Sequence, residues 1–266
     1  VLFRSTLLLT TSNFFVKELK ELPTGEIQFY RSIQHILYAY TFVKAQGMDV
    51  VFDKPSLTKL LLFRGFISFL TNTLHYIGIS LIPLSDSTVI MQTNPAMVGL
   101  LAPLLLGETF DRTPLLTAGL CTVGIILMAE PSFIFGDTGH THQGSKTSGI
   151  MSMLGAAFAL SISQILVKKI GKRANLGVFT FYTGVITGMI SPIMIIFQGQ
   201  DVLSFREAVL LLLIGVFTFI GDLFKNRAYV LGTVSKVTVI NYVGVIYSFL
   251  LDIYVMGNPI EWLDII

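Results

Sequence analysis

Residues 84–108 read LSDSTVIMQTNPAMVGLLAPLLLGE, and residues 234–258 read VSKVTVINYVGVIYSFLLDIYVMGN. Laid over each other without gaps, these two stretches decide the fold. Each is an apolar run long enough to cross a bilayer, which takes about 20 residues. Each ends at a glycine, Gly107 or Gly257. Extended back to 81 and 231, the pair shares eight identities, among them Ser85/Ser235, Thr88/Thr238 and Val89/Val239. Gly65/Gly215 and Phe69/Phe219 match further back. Identities between apolar runs arise easily by chance, so the polar positions weigh more. Ser68, Asn72 and His75 stand four and three apart, on one helix face. The residues 150 further on are Thr218, Asp222 and Lys225. At a shift of 151, Thr10, Asn13 and Lys17 meet Ser161, Gln164 and Lys168. Polar residues are scarce inside apolar runs, and two mirrored stripes of them point to an internal repeat.

The composition says what surrounds the repeat. Of the 266 residues, 53% are hydrophobic and 13% charged, with a mean hydropathy of +0.74. A soluble domain carries about 25% charged residues, so much of this surface must face lipid. Nine apolar segments are read as spans: 3–16, 27–43, 60–82, 86–106, 114–133, 148–168, 176–197, 207–224 and 235–256. The alternation expected of a membrane β-barrel is absent from the sequence. Pro23-Thr24-Gly25 ends the first hairpin, Ser85 or Asp86 serves as a helix N-cap, and Gly107 serves as a C-cap. Residues 136–147 form the one long polar linker. The expected organisation is a first repeat over 1–135, the linker, and a second repeat over 148–266.

Five helices per repeat is an odd number, so the second repeat enters the membrane upside down relative to the first. Basic residues collect on the cytoplasmic side. With a cytoplasmic N-terminus, twelve basic side chains fall in or beside the cytoplasmic loops, including Lys44, Arg64, Arg112, Lys168, Lys169 and Arg173. Five fall on the other side: Lys17, Lys20, Arg31, Lys146 and Arg206. The counterpart of the fifth span would begin near Asp264, and the chain reaches only Ile266. The reading is a ten-helix all-α membrane bundle whose tenth helix is missing from this chain. A start at Val1 is read as a truncated start.

Several function classes are disfavoured. A net charge of +2 is too balanced for a nucleic-acid partner. Cys121 stands alone in an apolar run and reads as a small buried side chain. His140 and His142 lie in the linker with no further ligand near them in sequence, and a glycine-rich phosphate loop is absent. Asp222 and Asp252 would suit an intramembrane aspartyl protease, but the sequence around them lacks the second glycine and the Tyr-Asp pair such an enzyme needs. No cofactor and no enzymatic activity are expected.

The run from Ser85 to Leu127, with Asn94-Pro95, then Leu104-Leu105-Leu106-Gly107-Glu108, then Gly119 and Gly124, resembles the EamA-type half of the drug/metabolite transporter superfamily. Gly232 to Lys236, and Met256-Gly257-Asn258-Pro259, resemble its second half. Among eukaryotic proteins the likeness is to the solute carrier 35 group. The resemblance implies two inverted five-helix repeats around a central cavity that opens by alternating access. It implies small polar organic substrates, and Lys236 looks like the basic residue opening the matching span in the sugar-phosphate and nucleotide-sugar branches. Asn258 replaces the glutamate expected after Gly257.

The expected function is secondary transport of a small polar or anionic organic metabolite, with a membrane sensor or scaffold of the same fold as the alternative. The cavity candidates are polar residues within spans, which are costly against lipid: Asn13, Asn72, His75, Gln92, Gln164, Asp222, Lys225, Asn241 and Tyr242. Each also has an ordinary structural reading. Gln92 and Asn241 could hydrogen-bond helices together, Asp222 and Lys225 could pair at a helix end, and His75 could pack. Lys17 and Lys168 could hold an anion or anchor a helix at the interface. The expected partners are a lipid bilayer and a small-molecule substrate, with a homodimer admissible; the membrane is the plasma membrane or one of the secretory pathway.

Overall fold

Cap and turn residues set where the helices start and stop. The computed structural model describes residues 2–19, 22–50, 55–82, 87, 90–107, 116, 119–120, 123–124, 143–199, 203–239 and 247. Among them the regular structure is helical throughout, without a strand. The helices are α1 (Leu2–Glu18), α2 (Thr24–Ala45), α3 (Pro55–Leu81), α4 (Asn94–Leu106), α5 (Gln143–Ile170), α6 (Leu176–Gln198), α7 (Phe205–Leu231) and α8 (Val234–Val239). A 3-10 turn, Gly171–Arg173, follows α5. Pro23 stands immediately before α2. Asn175 caps α6, its side chain accepting from the Gly177 N–H at 2.9 Å. Ser204 and Glu207 form a reciprocal capping box on α7. Gly107 ends α4 as expected, in the left-handed region at φ 67°, with its N–H on the Pro103 carbonyl.

Among the boundaries that differ from the sequence reading, two stand out. Span four is read as one apolar segment over 86–106. Instead, a turn at Gln92-Thr93 interrupts it, and the regular helix begins at Asn94. Pro95 has no N–H for the Met91 carbonyl, and its ring crowds the preceding turn. The Thr93 hydroxyl and N–H both donate to the Ile90 carbonyl and close the turn. The other difference is at α5, which begins at Gln143, inside the stretch read as linker. Residues 136–142, including His140 and His142, lie outside the described residues, as do most of spans five and nine.

Lengths and composition fit a bilayer. Thr147–Arg173, Leu176–Gln198 and Phe205–Leu231 are each long and apolar enough to span one, and Asn94–Leu106 is a shorter apolar helix. Large apolar side chains point outward along these helices, with Phe197 85% and Phe205 87% exposed. Such a surface is stable against lipid rather than water.

The chain divides into two compact units. The first holds residues 1–69, 166–232 and 243–248. There α2 packs on α6, α1 packs on α7, and α7 also touches α2 and α6. Leu19, Leu22, Ile27, Leu211 and Ile214 form one apolar cluster at the α1–α2 and α7 junction. The α2–α6 pair is antiparallel. At one end the Asn175 amide donates to Gln46 Oε1 at 2.8 Å. At the other, Gln198 Oε1 accepts from the Gly25 N–H at 2.9 Å; separately, Arg206 of α7 pairs with Glu18 of α1 at 2.9 Å. Beyond the end of α2, Asp49 accepts a hydrogen bond from Lys44 and holds its ammonium pKa above the ordinary lysine value.

The second unit holds residues 70–165, 233–242 and 249–266. Here the C-terminal part of α3 lies against α5, with Met153 over Gly78, Leu81 and Ile82 against Gly149, and Leu74 against Gly155. Ile82, Ile90 and Met153 make its apolar cluster. α4 packs on α8. Asn94 joins α4 to α5, its amide donating to the Ala157 carbonyl at 3.2 Å and to Ser161 Oγ at 2.8 Å.

Candidate functional site

In the first unit the polar residues of α7 meet those of α2, and Arg64 of α3 lies within the field of Asp222. Thr218, Asp222, Lys225, Asn226 and Tyr229 recur at helical spacing and share one face of α7. Asp222 and Lys225 pair at 2.6 Å, with side chains 16% and 25% exposed. On α2, His35 is buried, and its Nε2 lies 3.0 Å from Thr218 Oγ1. The Thr218 hydroxyl donates to the Ile214 carbonyl at 2.7 Å. Its oxygen is therefore left to accept, which assigns the proton to His35 Nε2. Arg31, one turn before His35, and Lys225 act electrostatically on Asp222 and on His35.

Arg64 completes this group from α3. It is 7% exposed, and Nη1 donates to the Phe179 carbonyl at 2.8 Å and to Thr183 Oγ1 at 2.5 Å. Its guanidinium sits 5.8 Å from the centre of the Phe179 ring. Nε has no partner. Among the described residues no carboxylate forms an ion pair with Arg64; Asp222 is the acid whose field reaches it. Beside Lys225, Asn226 is 1% exposed, and both atoms of its amide are unpartnered. Buried polar groups are seldom left so.

The sequence-predicted residues are distributed as follows. Asp222 and Lys225 are brought together. Asn13, also in the first unit, has an exposed side chain on α1. In the second unit Gln164 is 4% exposed with Oε1 unpartnered. Asn72 and His75 are half-buried on α3, and the His75 ring neighbours Tyr76. Gln92 is half-buried at the turn that breaks span four. Among the described residues no hydrogen bond joins Asn72, His75 and Gln164 to one another. Asn241 and Tyr242 lie outside the described residues. Lys168 is occupied structurally: its ammonium donates to the carbonyls of Gly232 at 2.7 Å and Val230 at 3.4 Å, capping the end of α7.

Arg31, His35, Arg64 and Asn226 were missed as site residues. By the distribution of basic residues Arg31 and Arg64 mark the sides of the membrane, yet they stand well inside α2 and α3. The Arg31–His35 spacing of one helical turn was the available signal.

A helical chain with outward apolar faces and several helices long enough to cross a bilayer is a polytopic membrane protein. A family model described as the EamA-like transporter family matches residues 1–129 and 147–266. The chain belongs to that family. It is 25% identical over 237 residues to a pseudopaline exporter, CntI, of Pseudomonas aeruginosa, covering 89% of this chain and 79% of the exporter. It is 23% identical over 264 residues to human solute carrier family 35 member G1, covering 97% of this chain and 72% of the carrier. An uncharacterized transporter of Helicobacter pylori is 25% identical over 228 residues, covering 85% and 75%. A solved crystal structure superposes with a TM-score of 0.82 at 15% identity, covering 99% of this chain and 89% of the other, and supports the fold alone. The family and these relatives are transporters, not enzymes. The chain is a multi-pass integral membrane protein and a membrane transporter, in keeping with the drug/metabolite transporter superfamily.

Proposed function

We propose that this chain is a secondary carrier that moves a small polar organic metabolite by alternating access between two inverted five-helix repeats. The observation that carries the reading is a pair of glycines related by the 150-residue shift. A Cβ added at Gly65 of α3 would meet the Tyr182 carbonyl oxygen of α6 at 2.9 Å. A Cβ added at Gly215 of α7 would meet the Gln34 side chain of α2. Under the shift, α3 corresponds to α7 and α6 to α2, so the two crossings are counterparts. The packing of α1 on α7 likewise corresponds to that of α5 on α3, and α2–α6 is a pair that maps onto itself. A carrier needs two halves that rock about polar groups.

In this reading Gln92 marks the broken segment of span four, and Asn72, His75, Gln164, Asn241 and Tyr242 supply further polar contacts from within spans. Backbone freed at a broken helix lines cavities rather than lipid. Uptake into proteoliposomes tests the reading, with labelled amino acids, nucleotide-sugars, sugar phosphates, purines and dicarboxylates as the panel. Saturable uptake of one class that falls on Gln92→Ala or Asn241→Ala is the expected result. No uptake of any solute by folded protein would favour a sensor or scaffold instead.

A further inference from the structure

The group around Asp222 is unbalanced in charge. Arg31, Arg64 and Lys225 carry three positive charges, and His35 donates from Nε2 to a threonine rather than to an acid. Among the described residues Asp222 supplies the one acidic charge acting on them, and it is engaged by Lys225 at 2.6 Å. Arg64 cannot escape this by reaching water, because it is buried. Its carbonyl and hydroxyl acceptors satisfy Nη1 but supply no countercharge. A buried cation without its own counter-ion is retained against a large desolvation penalty, and such residues inside spans mark ligand pathways. The buried, unpartnered amide of Asn226 on the same face of α7 adds donor and acceptor capacity with nothing to bind.

We infer that this cluster is a binding site for a compact organic dianion, a dicarboxylate or a phosphate monoester. Two negative charges balance Arg31, Arg64 and Lys225 against Asp222. Asp222 acts as the resting counter-ion: it pairs with Lys225 and yields it to the incoming anion, so the ammonium is paired before and after binding. Arg64 presents its free edge, and the Asn226 amide donates to an anion oxygen. Arg31, half-buried and without a hydrogen bond among the described residues, is the cation most free to turn toward the anion. This inference rests on the carrier reading and names the class of its cargo.

The test uses the purified full chain in detergent at constant ionic strength. Its thermal unfolding midpoint is followed against succinate, glucose 6-phosphate, acetate and glucose. The expected result is a saturable rise with succinate or glucose 6-phosphate, whichever source is correct, and none with acetate or glucose at the same concentrations. Arg31→Gln should weaken half-saturation by about tenfold or more, the usual weight of a charge-assisted contact, without moving the ligand-free midpoint. Lys169→Gln, an exposed cation just before the 3-10 turn, should change neither. A dianion response unchanged in both Arg31→Gln and Arg31→Gln/Lys225→Met overturns the inference. So does a response to glucose or to neither dianion. Parallel uptake separates the two levels. Uptake of a neutral solute that ignores Arg31→Gln overturns the dianion site and leaves the carrier standing. Dianion binding without uptake of any solute overturns the carrier and leaves the site.

Discussion

At the scale of single residues, the polar groups inside the helices divide by whether their hydrogen bonds are complete. Asn94 has its amide donors placed on Ala157 O and Ser161 Oγ, and so works as a tie between α4 and α5. Asn94→Ala is expected to cost about 1 kcal/mol, the usual worth of an interhelical hydrogen bond in a membrane protein. That lowers the unfolding midpoint by a few degrees while leaving substrate affinity unchanged. Lys168 is likewise satisfied on the end of α7. Lys168→Met should destabilise the protein, read as a lower midpoint in detergent, with the KM for transport unmoved. A large rise in KM with the midpoint intact would instead make Lys168 a substrate contact. Gln164, Asn226 and Arg64 have unfinished valences. Local sequence could not sort these groups. Arg64 is buried because Phe179 and Thr183 wait for it on a helix more than a hundred residues away. A count of basic residues by side treats every arginine as a loop marker and cannot see that.

At the scale of elements, the ends were legible and the close crossings were not. Gly107 and Pro23 act within one turn of themselves, so their effect can be read locally. The break in span four was legible in kind, because Pro95 removes a donor, but its place at Gln92-Thr93 depends on Thr93 closing the turn onto Ile90. The crossings rest on glycines that meet backbone. Gly65→Val should force α3 away from the Tyr182 carbonyl and destabilise by about 1–3 kcal/mol, as overpacking does. Gly215→Val meets a flexible glutamine side chain and should be milder. Equal losses at the two positions would argue against the contacts described. Denaturation of the two variants side by side makes the comparison.

At the scale of the molecule, the repeat in sequence proposes which helices are counterparts, and the polar stripe Thr218–Asp222–Lys225 holds two members of the ionic group, Asp222 and Lys225. It could not foretell that α2 would supply Arg31 and His35, since that pairing is made only when α2 and α7 fold together. The antiparallel α2–α6 pair also fixes sidedness. With Cys121 replaced by serine, single cysteines at Gly47 and Lys172 should react with an impermeant maleimide from one face of the membrane. Those at Thr24 and Gly199 should react from the other. Labelling of Gly47 and Lys172 from opposite faces would overturn the topology.

The central claim is that the chain carries its cargo by alternating access, and the initial rate of uptake into preloaded proteoliposomes tests it most directly. The account predicts that entry of labelled substrate saturates with external concentration, and that unlabelled substrate inside changes the entry rate, because both faces share one site. Entry that rises in proportion to concentration and ignores the internal solute would describe a pore and contradict the account.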